Sequence, residues 1–368
     1  MSVRGLDRTF LIFTVILVFL GLLIFSSASL GLLSRNGVSF SSVAFSQIVF
    51  GAIGGGIALF ITSSIQYRIW RQYAFYFLLI ALVLTFAVFI PGLGLSHGGA
   101  TRWIDLGFMS FQPSELLKIA FIIYMATWLS GMKKYIKDFK KGTLPFLLMV
   151  GGVGVPLLLQ PDTDTYMLVV AASLAMFLTA GGRVRDVIIM IVTGVLLIGI
   201  LALSRPYIMD RIQTFIDPSS DLQGAGYQIN QSLIAVGSGG LTGRGFGQSI
   251  QKFEYLPEPI GDSVFAVYAE EFGFVGSVLL ILIYGGFIMR GFRIATHAPD
   301  LFSMLLVVGI MSLLSLQIFL NMAAMLGIMP LSGLPLPFIS HGGTALFVTL
   351  ASVGIVLNVS KYQKRTPL

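Results

Sequence analysis

Three carboxylates are the clearest candidates for chemistry in this sequence, because they lie where a polar, glycine-rich stretch is followed by an apolar run. The stretch begins at Gly237, and Asp262, Glu270 and Glu271 lie where it meets the apolar residues that follow. A charged side chain at the centre of a membrane helix costs about 2.5–3.5 kcal/mol on insertion scales, so such residues usually mark functional sites. A carboxylate can also orient a hydroxyl or accept its proton. We therefore expect the rest of the chain to hold and partner these three groups.

The composition indicates which class of protein must position them. Hydrophobic residues make up 56% of the 368 residues and charged residues 11%, against about 25% charged in soluble domains. The absence of cysteine excludes a disulfide framework, a thiolate nucleophile and a zinc–thiolate site. We predict an all-α polytopic integral membrane protein that forms a single transmembrane domain over residues 1–368.

Apolar runs of about 20 residues are long enough to cross a bilayer. Ten such runs predict ten transmembrane helices, with one long extracytoplasmic loop, about 205–262, between the seventh and the eighth. The residues Gln160 to Asp164 interrupt an almost continuous apolar stretch and predict a tight outer turn. The predicted spans are 9–31, 42–63, 72–92, 113–131, 143–160, 165–181, 186–204, 263–290, 301–326 and 342–360.

The charges predict how the chain is oriented. If the amino terminus is cytoplasmic, sixteen of the 23 basic residues fall on the inner side and six on the outer side, with Lys118 alone inside a span. This agrees with the positive-inside rule and places both termini in the cytoplasm. Twelve of the sixteen acidic residues fall on the outer side, so the chemistry is predicted to face outward. The basic residues form no concentrated patch for nucleic acid and instead face anionic membrane lipid.

Two further segments could contribute charge to the site. Pro113 can start the fourth span and places Glu115 and Lys118 on one helical face. They could form an ion pair within that helix, or Lys118 could pair across helices with Asp262 or Glu115. In the long loop, the glycines between 239 and 247 could pack a re-entrant loop, or they could contact a lipid-linked pyrophosphate together with Arg244. A nucleotide cradle is not favoured, because no strand precedes them and no Gly-Lys-Ser/Thr ending follows.

Several motifs resemble those of the SEDS family (shape, elongation, division and sporulation), which comprises the FtsW, RodA and SpoVE proteins. The resemblance covers nearly the whole chain, and Gln251-Lys252 is more similar to the cell-division branch, FtsW, than to the elongation branch. The chain departs from the usual family pattern at Ile260-Gly261, at Asp164 and at His341. The motifs are Arg102-Trp103, Phe111-Gln112-Pro113-Ser114-Glu115-Leu116, Gln160-Pro161-Asp162, Gly226-Tyr227-Gln228, Tyr255-Leu256-Pro257-Glu258 with Asp262, Glu270-Glu271-Phe272-Gly273, and Gly333-Leu334-Pro335-Leu336-Pro337-Phe338-Ile339-Ser340.

This resemblance implies a peptidoglycan glycosyltransferase on the outer face of the bacterial cytoplasmic membrane. It implies that a growing glycan on undecaprenyl pyrophosphate is transferred to lipid II, with Asp262 as the catalytic carboxylate. It also implies a class B penicillin-binding transpeptidase as partner. Whether the protein uses a divalent cation, Mg²⁺ or Mn²⁺, as a cofactor stays open, and Asp262 and Glu258 could help to hold such an ion. The candidate substrate-binding residues are Arg102, Glu115, Lys118, Arg211, Arg244, Lys252, Glu258 and Ser340.

Three alternatives stay open from the sequence. Asp262 could be an amino-terminal cap of the eighth span. The chain could be a lipid II flippase, although a flippase needs a charged path across the whole membrane and the acidic residues here cluster on one side. It could also be a secondary transporter of another lipid-linked substrate, although no inverted repeat is visible.

Overall fold

The computed structural model describes residues 5–34, 40–97, 100–107, 110–204, 206–218, 221, 224–253 and 255–363. Helices account for most of these residues. They are α1 (Arg8–Ala28), α2 (Phe40–Phe45), α3 (Gly55–Ser64), α4 (Tyr67–Ala87), α5 (Pro113–Gly131), α6 (Leu144–Leu159), α7 (Thr163–Thr179), α8 (Val184–Ser204), α9 (Pro206–Ile216), α10 (Ala225–Ser238), α11 (Val264–Thr296), α12 (Leu301–Met325) and α13 (Gly343–Ser360).

Helices occupy all ten predicted spans, and the prediction of an all-α polytopic membrane protein is confirmed. The second span combines α2, a π-helical segment (Ser46–Gly54) and α3. Within the described residues, seven helices are long and apolar enough to cross a membrane, so the count of ten stays a prediction. Five basic residues that entered the topology argument, Arg4, Arg35, Arg205, Lys364 and Arg365, lie outside the described residues.

Helices α5, α12 and α13 form the centre of the bundle, and most of their side chains are buried. Helix α12 packs against α5, α7 and α11, while α13 packs along α3. The outer helices expose large apolar side chains such as Val83 on α4 and Leu203 on α8. Such exposure is expected where lipid rather than water surrounds the protein.

Two local structures differ from the predicted pattern of spans and irregular loops. A small antiparallel sheet joins β1 (Gly94–His97), β2 (Ala100–Asp105) and β3 (Ser110–Phe111) between α4 and α5. The long loop also contains two helices, α9 and α10. Helix α9 has apolar residues on one side and polar residues on the other, a pattern that a search for continuous apolar runs does not detect.

Helix α11 is interrupted at Gly273, whose φ of 65° is accessible mainly to glycine. A Cβ atom at this position would lie 2.3 Å from the backbone nitrogen of Gly243, so the glycine-rich segment approaches the break directly. Four backbone hydrogen bonds join the two segments: Arg244 N to Glu270 O (3.0 Å), Gly245 N to Glu271 O (3.0 Å), Phe274 N to Gly240 O (2.9 Å) and Val275 N to Leu241 O (3.0 Å).

These bonds satisfy backbone groups that the helix break leaves unpaired. Inside a membrane protein such groups must find partners within the protein. The structure therefore favours the packing interpretation of the glycine cluster. The backbone amides of Arg244 and Gly245 are already used by α11, which argues against their contacting a pyrophosphate.

Hydrogen bonds join the connections at one end of the bundle, from Arg102 to the carbonyl of Gln160, from Gly333 to Asp164 and from Ser340 to the carbonyl of Gly261. These connections are the α4–α5 sheet, the α6–α7 turn at residues 160–162, the segment that precedes α11, and the segment that joins α12 to α13. The turn between α6 and α7 lies at the predicted position. At the opposite end, Arg290 of α11 forms an ion pair with Asp7 (2.9 Å). The predicted site residues are therefore clustered near one end.

Candidate active site

Asp262 lies two residues before the start of α11 and is partly exposed. The side-chain amide of Gln228 on α10 donates a hydrogen bond to its Oδ1 atom (3.2 Å) and another to Oγ of Ser263 (2.9 Å). Ser263, rather than Asp262, occupies the N-cap position of α11. The interpretation of Asp262 as a helix cap is therefore wrong.

Backbone contacts from two other elements hold the Asp262 segment in place. The side chain of Asn321 on α12 donates to the carbonyl oxygens of Asp262 and of Leu334, both at 2.8 Å. The backbone amide of His341 donates to the carbonyl of Ile260 (2.6 Å). Two of the departures from the family pattern, Ile260 and His341, are thus in direct contact. The backbone around Asp262 is fixed although it belongs to no helix.

The surroundings of Asp262 favour its neutral form. Desolvation by the surrounding protein, followed by the negative charge of Glu258, raises the pKa of Asp262 to about 7, against the opposing effect of the hydrogen bond from Gln228. A general base works best when its pKa lies near the working pH. The local environment therefore gives this carboxylate a basicity suited to proton transfer near neutral pH.

Five predicted substrate-binding cations each form an ion pair with a different carboxylate. Among the described residues, no basic side chain lies within 4.0 Å of the Asp262 carboxylate, so this group differs from the other five. The pairs are Arg102–Asp162 (3.8 Å), Lys118–Glu115 (2.8 Å), Arg211–Asp164 (2.8 Å), Arg244–Glu270 (3.3 Å) and Lys252–Glu271 (2.8 Å).

The structure contradicts the prediction that Lys252 binds substrate. Its side chain is 0% exposed, and its ammonium group donates to Glu271 (2.8 Å), to Oγ of Ser27 (3.0 Å) and to the carbonyl of Gly247 (2.8 Å). An ammonium group has three N–H donors, and all three are used. Lys252 therefore joins α1, α11 and the glycine-rich segment and does not reach a substrate.

The structure also contradicts the prediction that Ser340 binds substrate. Its hydroxyl donates to the carbonyl of Gly261 (2.6 Å) and accepts from the backbone amide of Leu336 (2.7 Å), and the residue is buried. The hydroxyl therefore positions the residue before Asp262 instead of binding substrate. The predicted Glu258, in contrast, is exposed beside Asp262.

Glu115 and Lys118 form a buried pair within α5. The Lys118 ammonium donates to Glu115 (2.8 Å) and to the side-chain oxygen of Gln317 on α12 (3.3 Å). The pairing of Lys118 with Asp262 across helices is not present in the structure, because the ammonium is engaged on the α5–α12 side. Whether this pair contacts substrate stays a prediction.

The three arginines retain more exposure than the lysines. Arg102 donates to the carbonyl oxygens of Gln160 (3.2 Å) and Pro161, so it supports the α6–α7 turn, and its side chain is 17% exposed. The side chains of Arg211 and Arg244 are 32% and 38% exposed. Of the predicted cations, these two are the most accessible to an anionic ligand.

Asp164, the third departure from the family pattern, is a structural partner. Its Oδ2 atom accepts from Arg211 (2.8 Å) and from the backbone amide of Gly333 (3.2 Å). It thereby connects α9 of the long loop with the segment that joins α12 to α13.

Several buried polar atoms at this end have no hydrogen-bond partner within the described residues. They include Oγ of Ser114, Oε1 of Gln160, Oδ2 of Asp162 and Oδ1 of Asn321. Burial raises the pKa of Asp162, and the charge of Arg102 opposes that shift. Unpartnered buried polar groups are costly, and these atoms are buried too deeply for a ligand to reach them in this structure.

The described residues contain no group of three or more histidine and carboxylate side chains placed to hold a metal ion. Mg²⁺ often uses only one or two carboxylates, with waters and substrate phosphates as the other ligands. The charge of Glu258 acts on Asp262, but these two carboxylates alone do not define a metal site, so the divalent cation stays a prediction.

Sequence reasoning missed three neutral residues that hold the site: Gln228, Gln317 and Asn321. Gln228 lies in a motif that we noted without assigning it a role. Gln317 and Asn321 are four residues apart on α12, so they share one face of an otherwise apolar helix. Polar residues in such a position usually bond across helices, and that signal could have identified both.

Comparisons with known proteins cover almost the entire chain. The FtsW/RodA/SpoVE family profile, described as "Cell cycle protein", matches residues 7–365. The chain is 38% identical over 358 residues to stage V sporulation protein E of Bacillus subtilis, covering 97% of this chain and 98% of that protein. It is 37% identical over 361 residues to a probable peptidoglycan glycosyltransferase FtsW of Geobacter sp. strain M18, covering 97% of each.

The fold also matches a solved structure. One chain of the structure described as "Structural coordination of polymerization and crosslinking by a peptidoglycan synthase complex" superimposes with a TM-score of 0.80 at 27% identity, covering 98% of this chain and 99% of that chain. On the evidence of the family profile and of relatives that match along their full length, this chain belongs to the FtsW/RodA/SpoVE (SEDS) family of multi-pass membrane proteins.

Proposed function

We propose that this chain is a peptidoglycan glycosyltransferase that polymerises lipid II into glycan strands and acts in cell division. One observation carries the proposal: within the described part of the chain, the Asp262 carboxylate has no basic side chain within 4.0 Å, and its pKa of about 7 suits a general base. The FtsW and synthase-complex relatives support the reaction class.

In the proposed reaction, the 4-hydroxyl of the lipid II sugar attacks the anomeric carbon of the growing glycan. The bond from that carbon to the pyrophosphate oxygen breaks, and the electron pair leaves with undecaprenyl pyrophosphate. The hydroxyl proton passes to the Asp262 carboxylate. Asp262 therefore has to be ionised and close to the acceptor hydroxyl before the transfer begins.

The leaving pyrophosphate needs positive charge nearby. Arg211 and Arg244 are proposed for this role, because each leaves about a third of its side chain exposed. Arg102 is proposed to act mainly by shaping the α6–α7 turn, whose carbonyls it binds.

The proposed location is the bacterial cytoplasmic membrane, with both termini in the cytoplasm and Asp262 facing outward. The asymmetry of the basic residues supports this orientation. The proposed partner is a class B penicillin-binding transpeptidase, supported by the similarity to a chain of a peptidoglycan synthase complex.

The orientation can be tested with single cysteines, since the natural chain has none. Gln213→Cys on α9 and Lys134→Cys after α5 place thiols at exposed positions near opposite ends of the bundle. In intact cells freed of any outer membrane, an impermeant maleimide is expected to label the first and to spare the second. The reverse pattern would contradict the orientation.

The activity is tested with purified protein and labelled lipid II in detergent. The proposal predicts long glycan product, whereas a flippase or transporter makes none and instead moves lipid II across a vesicle bilayer. Transport without polymer, in the presence of the partner transpeptidase, would overturn the proposed function.

A further inference from the structure

The carboxylate of Asp262 has one side-chain donor with an unusual arrangement. Nε2 of Gln228 donates both to Oδ1 of Asp262 (3.2 Å) and to Oγ of Ser263 (2.9 Å). A primary amide nitrogen carries two hydrogens, so both bonds can form at once. Gln228 therefore couples the carboxylate to Ser263, the N-cap residue of α11.

The other side-chain contacts around Asp262 hold its backbone, while the backbone amides of Asp262 and Ser263 also favour the ionised carboxylate. Ser340 binds the carbonyl of Gly261, and Asn321 binds the carbonyl of Asp262. Neither contact limits rotation of the carboxylate, whose terminal torsion is intrinsically broad. Among the side chains of other elements that the structure describes, Gln228 is the one that donates to the carboxylate and so restricts its rotation.

Helix α10 is anchored at both ends, so it can present Gln228 reproducibly. At its start, the Asp221 carboxylate accepts hydrogen bonds from the backbone amides of Gly224 and Ala225, both at 2.8 Å. Near its end, Gly239 lies so close to α11 that an added Cβ atom would be 2.2 Å from the carbonyl oxygen of Ala269. The position of Gln228 is therefore set by two independent contacts.

We propose that Gln228 is a positioning residue for glycosyl transfer, which fixes one oxygen of the Asp262 carboxylate and leaves the other for the acceptor hydroxyl. This inference rests on the proposed function. Gln228 also favours the charged form of Asp262, since a donor to a carboxylate stabilises its ionised state. A purely structural α10–α11 contact would have no such effect.

The test compares Gln228→Met with Gln231→Met. Methionine keeps the length of glutamine and removes the amide. Gln231 is on the same helix and, within the described residues, makes no hydrogen bond to Asp262, which makes it a matched control. Both purified proteins are assayed for glycan polymer from lipid II between pH 5.5 and 9.

Gln228→Met is expected to lower kcat at pH 7 on the order of tenfold. The acidic limb of its rate profile should move to higher pH, with partial recovery of rate near pH 9 and little change in KM. Gln231→Met should retain the wild-type profile. The titratable neighbours are Glu258 on the same segment and His341, whose pKa burial lowers to about 4, so His341 stays neutral over this range.

A third variant, Ser263→Ala, separates positioning from packing because it removes one α10–α11 contact and leaves the bond to Asp262. It is expected to keep the wild-type pH profile. If Gln228→Met also keeps that profile, the inference is overturned.

If Gln228→Met is not monodisperse, Gln228→Asn decides instead. The asparagine amide is one methylene too short to reach both partners, so the pH–rate profile is expected to shift. An unshifted profile would contradict the inference. If the wild-type protein makes no polymer, the proposed function itself is contradicted.

Discussion

Two carboxylate regions lie eight to nine residues apart along the chain and differ in how their charge is balanced. Glu270 and Glu271, inside α11, are almost completely buried. Glu270 accepts from Oγ of Ser249 (2.6 Å) and from two backbone amides beyond its ion pair with Arg244. Asp262 is partly exposed, is held by the neutral Gln228, and has no cation within 4.0 Å among the described residues.

The difference separates structural from reactive carboxylates. A buried charge with a full set of hydrogen-bond and ion-pair partners is not available to a substrate. Removing one partner of such a pair leaves the other unpaired, at a cost of about 3–5 kcal/mol. A carboxylate with a raised pKa and no cationic partner can instead exchange a proton with a substrate. We therefore expect the α11 glutamates to control folding and Asp262 to control rate.

The largest effect is expected for Lys252→Ala. It would leave Glu271 buried without its cation, at a cost of about 3–5 kcal/mol. The measurement is the midpoint of thermal unfolding in detergent, together with the yield of monodisperse protein. A matched control is the double variant Lys252→Met with Glu271→Gln, which removes both charges and should recover most of the loss. A stable but inactive Lys252→Ala protein would place Lys252 in the chemistry instead.

A smaller loss of stability is expected for Lys118→Met. Its partner Glu115 lies in the first turn of α5, where the helix dipole favours negative charge. The dipole should offset part of the cost and leave about 2–3 kcal/mol. Unfolding midpoints of the wild type, Lys118→Met, Glu115→Gln and the double variant form a double-mutant cycle that measures the coupling. If the losses of the two single variants add up to the loss of the double variant, the pair adds no stability.

The smallest effect is expected for Glu258→Gln. The negative charge of Glu258 contributes to the raised pKa of Asp262. Its removal should lower that pKa, so Asp262 stays ionised in more acidic solution and the acidic limb of the polymerisation profile moves to lower pH. Glu258 is exposed and screened by water, so a shift below about one pH unit is expected. A shift to higher pH would contradict the assigned sign.

Much of this fold follows from local sequence. Long apolar runs predicted helices in ten places, and the Gln160–Asp164 interruption predicted the turn between α6 and α7. The break of α11 at Gly273 could not be predicted from the local sequence, because the run of residues around it is long and apolar. It becomes possible only because a segment about 30 residues earlier supplies hydrogen bonds to its backbone, and such pairing leaves no periodic signal.

The roles of individual site residues were harder to predict for the same reason. Lys252 and Ser340 stand in motifs beside reactive-looking residues, yet their partners, Glu271 and Gly261, are brought to them by tertiary packing. Asp262 was predicted to lie at the mouth of the eighth span, and it precedes α11 by two residues, while its catalytic role stays a prediction. Its pairing with Gln228 depends on the path of α10, which composition alone does not indicate.

The most direct test of the central claim is Asp262→Asn. Asparagine keeps the shape and an acceptor oxygen for Gln228 while removing the charge and the basicity. The expected result is a folded, monodisperse protein with a wild-type unfolding midpoint whose polymerisation of lipid II falls by a factor on the order of 10²–10⁴. Wild-type polymerisation by a folded Asp262→Asn protein would contradict the claim that this carboxylate carries the chemistry.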